Sequence, residues 1–394
     1  MNRMQILKRP SVSICFFSGA MLLASLMLQA SMLRAEELWP KHIVHRGVRT
    51  MTAVAADFTG DGLVDVISDG GGKTRLFVAP QWTEHVIDDH PNISHYIHSE
   101  FFDVDDDGDL DYIGARYNPG LIVWLENPGH LDGVWESRIA DDRVHGIHGL
   151  LKADVDSDGR MDLLATSAQP KPPYPESLVW LRVPDSPLHL QRWQIFPFAV
   201  SDAPGLTHYL GAGDIDGDGR LDAATGAKGG PQATSTGEWF AWWKSDPSAK
   251  GRWKKELVSD SEPGATNIHP VDVNRDGITD LVASRGHGQG VLWFEGPDWE
   301  PHSIDPSIKE PHCLVATDLD SDGDMDVATC AFGDQIAVWY ENDGQGNFSR
   351  HLIGSGQEAY DIRAVDFDRD GDLDLLVAGR ASDNVVWFEN PSQQ

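Results

Sequence analysis

The stretch HGIHGLLKADVDSDGRMDLLA, from His145 to Ala165, sets two signals side by side. Its second half, DVDSDGRMD, spaces oxygen-bearing side chains around a glycine turn, as a cation-binding loop does. Its first half puts His145 and His148 on a short apolar segment. The nonapeptide decides the fold because it recurs. The pattern D-x-[DNT]-x-D-G-x-x-D occurs seven times: DFTGDGLVD from Asp57, DVDDDGDLD from Asp103, DVDSDGRMD from Asp154, DIDGDGRLD from Asp214, DVNRDGITD from Asp272, DLDSDGDMD from Asp318 and DFDRDGDLD from Asp366. Start-to-start distances run from 46 to 60 residues.

Each copy has the same flanks. A short apolar segment precedes it (LLKAD, LVATD), and another follows (LLATSA, LVASR, LLVAG). An aromatic segment comes next: IVWLEN, LVWLRV, FAWWKS, VLWFEG, AVWYEN and VVWFEN. A fourth has the W-x-x-H-x-I type, as at Trp82-His85-Ile87, Trp253-Glu256-Val258 and Trp299-His302-Ile304. Short β-branched and aromatic runs separated by Gly, Pro and Asp are strands. Four strands per repeat, repeated radially, predict an all-β, seven-bladed β-propeller of four-stranded blades. The last repeat ends after VVWFEN without its fourth strand, and Trp39-His42-Val44 near the other end supplies one. The N-terminal strand is therefore expected to close the ring by joining the last blade, which removes the open edge.

The repeats resemble the FG-GAP or VCBS repeats of integrin-α-type and bacterial extracellular propellers, over essentially the whole chain from residue 36 to 394. That resemblance implies the fold and leaves the function open.

The first residues read separately. Arg3, Lys8 and Arg9 precede an apolar run from Val12 to Leu28, with Ala35 before Glu36-Glu37, the order of a secretory signal over residues 1–35. Cleavage after Ala35 is expected, after Ala30 is the alternative, and an uncleaved anchor is a third reading. No later segment is apolar enough to span a membrane, so a secreted or periplasmic protein, monomeric, is expected. The net charge of −31 argues against a nucleic-acid partner, because phosphate binding needs Lys and Arg in excess. Fourteen Trp and fourteen Phe exclude a disordered acidic chain.

The acid has a use in the loops. Side-chain oxygens at positions one, three and five, a glycine at six, a carbonyl at seven and a carboxylate at nine wrap a calcium ion. The predicted ligands are Asp57, Thr59, Asp61 and Asp65; Asp103, Asp105, Asp107 and Asp111; Asp154, Asp156, Asp158 and Asp162; Asp214, Asp216, Asp218 and Asp222. The remaining sets are Asp272, Asn274, Asp276 and Asp280; Asp318, Asp320, Asp322 and Asp326; Asp366, Asp368, Asp370 and Asp374. A bare Asp-Gly hairpin turn is the competing reading of any one copy. Seven structural calcium ions would bring the formal charge from −31 to −17. Without them, clustered carboxylates repel. The loops with Thr59 and Asn274 should bind most weakly.

The histidines fall into two sets. His42, His85, His302 and His351 lie in the outer-strand motif, where pairing with neighbours suffices to explain them. His95, His98, His145, His148, His208, His269 and His312 sit at or just before the innermost strands, with Tyr360 and Arg363 in comparable places of the seventh repeat. An acidic loop follows its inner strand and these residues precede or begin it, so the two groups belong on opposite faces of the ring. Three readings of the axial set stand together. Each His satisfies backbone groups of its own loop; several hold a transition metal such as Zn2+; or they bind or deprotonate a sugar-like substrate, with His148, His208, His312 and Tyr360 as catalytic candidates.

Segments IVWLENPG (122–129) and GIHGLLKAD (146–154) also resemble the propeller part of aldos-2-ulose dehydratases. Those fungal enzymes eliminate water from keto-sugars and use metal ions, and the cupin-type half of such enzymes has no counterpart here. This implies a carbon–oxygen lyase acting on oxidised or acidic sugars as the alternative to a carbohydrate-binding propeller. A protein-interaction or adhesion module is the third class. No Ser-His-Asp order, phosphate loop or dinucleotide fingerprint is present; GDGL and GGGK between Gly60 and Lys73 are turn glycines. Cys313 and Cys330 flank the sixth acidic loop, five residues before Asp318 and four after Asp326. A cross-strand disulfide, two buried thiols and a zinc role for Cys313 beside His312 are the three readings of that pair.

Overall fold

The computed structural model describes residues 38–90, 95–190, 192–230 and 237–391, with the His95 side chain outside that set. The proposed signal lies outside it as well. Among the described residues, strands form seven four-stranded antiparallel sheets; six run in sequence order from the axis outward, and the seventh takes its outermost strand from Lys41–Arg46. The innermost strands are Ala53–Ala56, His95–Phe102, Leu150–Ala153, Thr207–Gly213, Asn267–Val271, Pro311–Thr317 and Asp361–Val365, for blades one to seven. Each lies beside the inner strand of the next blade, and the seventh lies beside the first. Lys41–Arg46 pairs with Asn384–Phe388 as the outermost strand of blade seven, so the ring closes as the repeat count requires.

The second strands are buried along their whole length, save the last two residues of Asp111–Asn118 in blade two, because both faces lie under neighbouring blades. This is why they read as runs of Val, Leu and Ala rather than as alternating patterns. The core is not one mass but seven inter-blade clusters. Ile113, Trp124, Leu163 and Leu181 join blades two and three, for example, and Val282, Trp293, Val327 and Tyr340 join blades five and six. Each such buried side chain stabilises by about 1.5–3 kcal/mol.

Polar staples lie over these seams. The Asn127 amide donates to Phe58 O of blade one and to Leu110 O of its own blade. Asn342 and Asn390 repeat the arrangement one blade back, on Val273 O and Leu319 O. Outer-strand histidines behave as their competing reading expected. His42, His302 and His351 stack on Trp387, Trp293 and Trp339, and each pairs with a glutamate of the third strand, Glu389, Glu295 and Glu341. Cys313 and Cys330 face each other directly across the first two strands of blade six, as buried free thiols.

Candidate functional site

Antiparallel blades put the first-to-second and second-to-third connections at opposite ends. The acidic loops occupy the first end. At the second end, around the axis, part of the predicted set converges. His208 is the second residue of its inner strand and His312 the second of its own. His148 precedes its strand, held where the Thr166 hydroxyl accepts both the His148 and Gly149 N–H groups, at 3.0 and 2.9 Å. His148 stacks on His208 with ring centroids 4.2 Å apart, and Tyr117 meets His148 edge-on at 4.7 Å. Gly149 permits this approach, since a Cβ there would lie 2.5 Å from the His208 carbonyl oxygen.

His287 completes the group, and the sequence reading passed over it. It comes from the turn between the second and third strands of blade five, next to Gly286, where a Cβ would collide with the His312 backbone. Its Nε2 lies 3.1 Å from His208 Nε2. Ligand nitrogens of His208, His287 and His312 all lie within 4.8 Å of one another. Their orientations are fixed from behind. His208 Nδ1 lies 2.9 Å from Leu206 O, and His312 Nδ1 lies 3.1 Å from Tyr360 O. Each Nδ1–H donates to its carbonyl, which leaves the Nε2 lone pairs facing the shared space. His312 Nε2 is buried and has no hydrogen-bond partner among the described residues.

Burial keeps these rings neutral. It pushes the pKa of His148 down to about 3 and that of His287 to about 4, with the positive charge of Lys228 adding to the effect in both. Burial also drives His208 and His312 well below the ordinary value. Around them stand an aromatic and a cationic wall. Tyr360 stacks on His312 at 3.5 Å, its hydroxyl accepts from Arg380 at 2.7 Å, and Phe332 packs edge-on against Tyr360. Tyr117, Lys228, Phe332 and Arg380 each lie six residues after the ninth-position aspartate of their repeat, a periodicity visible in the sequence.

Other predicted residues go elsewhere. His98 and His269 lie deeper, within their strands. His98 Nδ1 faces the Leu150 N–H at 3.1 Å and its Nε2 faces the Arg363 guanidinium at 2.8 Å, so both nitrogens are committed. Arg363 also reaches Ser99 O and Asp361. These side chains, with Glu100 beside them, fill the axis between the two faces. His269 bonds Asn267 on its own strand. His145 packs against Gly120 at a blade-two turn. His95 lies outside the described side chains.

On the opposite face the acidic loops of blades one to five share one internal pattern. The first-position carboxylate accepts the N–H groups of positions five and six, as Asp103 does from Asp107 and Gly108. In blades six and seven the position-five N–H turns to the position-three carboxylate instead. Carboxylate oxygens of Asp103, Asp105 and Asp107 converge, as do those of Asp154, Asp156 and Asp158 and of Asp214, Asp216 and Asp218. The ninth-position aspartates lie beneath. Asp326 accepts Leu319 N–H and Asn342 N–H, one on each oxygen, while staying within reach of Asp318 and Asp320. Burial raises Asp111, Asp326 and Asp374 to about 7, and Asp162 and Asp222 to about 6.

A cleft of about 750 Å³ lies between blades four and five, beside Asp216 and Trp299. It lacks converging ligand nitrogens, and chemistry rather than volume marks the axial group as the site.

The FG-GAP-like repeat family matches residues 103–165 and 318–377, which are the acidic loops of blades two and six carried through into the following blades. With the closed seven-bladed ring, these matches are consistent with an FG-GAP-type propeller, the class read from the repeats. No curated protein matches the chain in sequence. Among solved structures it is similar to an Agrocybe aegerita lectin that specifically recognises non-reducing terminal N-acetylglucosamine, with a TM-score of 0.53, 17% identity, and 88% of this chain and 86% of that one covered. It is also similar to BBS1N in complex with ARL6DN, in a lead-soaked structure at TM-score 0.59 and a mercury-soaked one at 0.61. In both, identity is 10%, with 92% of this chain and 99% of that one covered. At these identities the likeness concerns the fold. Among the described residues no helix is long and apolar enough to cross a membrane.

Proposed function

We propose that this protein is an exported, calcium-stapled propeller that binds an oxygen-rich ligand, a carbohydrate bearing a carbonyl or carboxylate, at a three-histidine metal centre on its axial face. The observation that carries this reading is the convergence of His208, His287 and His312 nitrogens within 4.8 Å, with His312 Nε2 buried and without a partner. Two imidazole nitrogens on one tetrahedral zinc lie roughly 3.3 Å apart, given Zn–N bonds near 2.0–2.1 Å. The 3.1 Å between His208 and His287 fits that spacing. Backbone carbonyls behind His208 and His312 are the usual outer partners of ligating imidazoles. Three protein ligands leave a position open to a ligand.

A metal bound there supplies Lewis acidity toward a carbonyl or carboxylate oxygen. The chain's own residues orient the rest. Arg380 and Lys228 attract an anionic group, and Tyr360, Phe332 and Tyr117 present ring faces and edges to a sugar. A second reading, elimination of water from an oxidised sugar, draws on His148. That ring is neutral and stacked beside the centre, although the burial that lowers its pKa to about 3 also weakens it as a base, since a general base works best with a pKa near the working pH.

A panel of keto-sugars and uronates separates the readings, with binding measured by calorimetry and elimination by the absorbance of the unsaturated product. Binding that needs zinc and is lost at least tenfold in His312→Ala, with unchanged melting, is the expected result. Binding that is indifferent to zinc and to this substitution would contradict the proposal.

A further inference from the structure

The acidic loops look alike along the chain, yet their surroundings differ in sign. The third strand ends beside the loop, and its last charged residue stands next to loop position three. In blades two, five, six and seven that residue is Glu126, Glu295, Glu341 or Glu389. In blade five the Asn274 amide donates to Glu295 at 3.4 Å. In blades three and four the same place holds Arg182 and Lys244.

These two cations are turned onto the loop carboxylates. Arg182 donates through Nε to Asp156 at 3.2 Å and through Nη2 to Asp158 at 2.7 Å. The Lys244 ammonium pairs with Asp216 and lies 2.8 Å from Asp218. Each therefore bridges positions three and five, the carboxylates between which a divalent cation would sit.

The fourth strand changes with the third. Facing the third-strand tryptophan, the glutamate blades carry a basic residue that pairs with that glutamate. Arg138 pairs with Glu126, His302 with Glu295, His351 with Glu341 and His42 with Glu389. Blades three and four carry Phe196 and Glu256 at that register. Two strands have changed together, which one chance substitution does not do. In blade four both charges reverse, and in blade three the third-strand cation stands beside an uncharged fourth-strand ring.

We infer that Arg182 and Lys244 are built-in counter-ions that stand in for calcium in blades three and four, so that the protein takes up calcium in blades two, five, six and seven rather than in all seven. This rests on the calcium reading of the acidic loops and narrows it. A monovalent side chain bridging two carboxylates relieves the repulsion among them, and a divalent ion entering there must first displace it. In the other four blades the added glutamate increases the negative charge around positions one, three and five, and the loop needs an external ion. Blade five, short of one carboxylate at Asn274, regains it from Glu295. Blade one has Val78 in place of the charged residue and Thr59 at position three, whose hydroxyl is turned to Asp65, and it binds most weakly.

Calcium counting on the whole protein tests this. After chelator treatment and dialysis against 45Ca2+ at graded concentrations, the protein is expected to fill four sites before any other. Lys244→Glu is expected to raise that number to five, and Glu341→Lys, which copies the charge of blade four into blade six, to lower it to three. Seven equivalent sites in the unaltered protein, or a count unmoved by both substitutions in folded protein, would overturn the inference and leave the calcium reading intact. No uptake at millimolar calcium would instead remove the calcium reading, and this inference with it.

Discussion

At the scale of single residues, histidines of the same type were indistinguishable in sequence and took two different fates. His208 and His312 begin their strands and turn their free nitrogens into the axial bowl. His98 and His269, a few positions further along their strands, fall into the channel and meet Arg363 and Asn267. His287 was illegible for a different reason: it sits on a second-to-third turn, and its counterparts in the other blades are not histidines. The channel pair carries a prediction of its own. Burial, followed by the nearby Arg363 charge, holds His98 down to about 3 and His269 to about 4. An unfolded histidine takes up its proton near pH 6.5. Between that pH and about 4 the unfolded chain binds a proton that folded His269 refuses. Stability from this group is thus fully present above pH 6.5 and is lost as the pH falls. Denaturant unfolding at pH 7, 5.5 and 4.5 should show that His269→Asn loses less stability on acidification than the unaltered protein, by up to about 1.4 kcal/mol per pH unit. Parallel pH profiles would contradict neutral burial of His269.

At the scale of elements, the repeat reading succeeded because every blade copies the same four strands, so one recognised nonapeptide fixes the place of its neighbours. The same uniformity hid what the loops do. Spacing assigned positions one, three, five and nine to one ion, and the structure in addition gives the ninth-position aspartate two backbone N–H groups to hold, from the loop and from the end of the third strand. That role depends on where the third strand ends, which the nonapeptide does not contain. The Asn of the E-N ending is equally silent in sequence. In the fold it ties each loop to the one before it. Asn342→Ala removes two amide bonds, to Val273 O at 2.8 Å and Met325 O at 3.1 Å, and leaves both carbonyls short of a partner. Thermal unfolding is expected to show a loss of about 1–3 kcal/mol. A loss below about 0.5 kcal/mol would mean that water replaces the amide at that seam.

At the scale of the whole molecule, the ring separates two chemistries. Carboxylate oxygens line one face, imidazole nitrogens gather on the other, and Arg363, Glu100, His98 and Asp361 lie between them. The separation follows from antiparallel strands: whatever precedes an inner strand and whatever follows it must emerge on opposite faces. Hard oxygen sites prefer calcium and imidazole sites prefer transition metals, so on the proposed reading the two faces would take different ions. His208, His287 and His312 are proposed to form one metal centre, and zinc K-edge X-ray absorption reads its ligands. In protein equilibrated with micromolar zinc after chelation, the account predicts one tightly held zinc per chain with three nitrogen neighbours at about 2.0–2.1 Å, lost in His312→Ala while the fold is retained. Zinc surrounded only by oxygen, or held as well without His312, would contradict it.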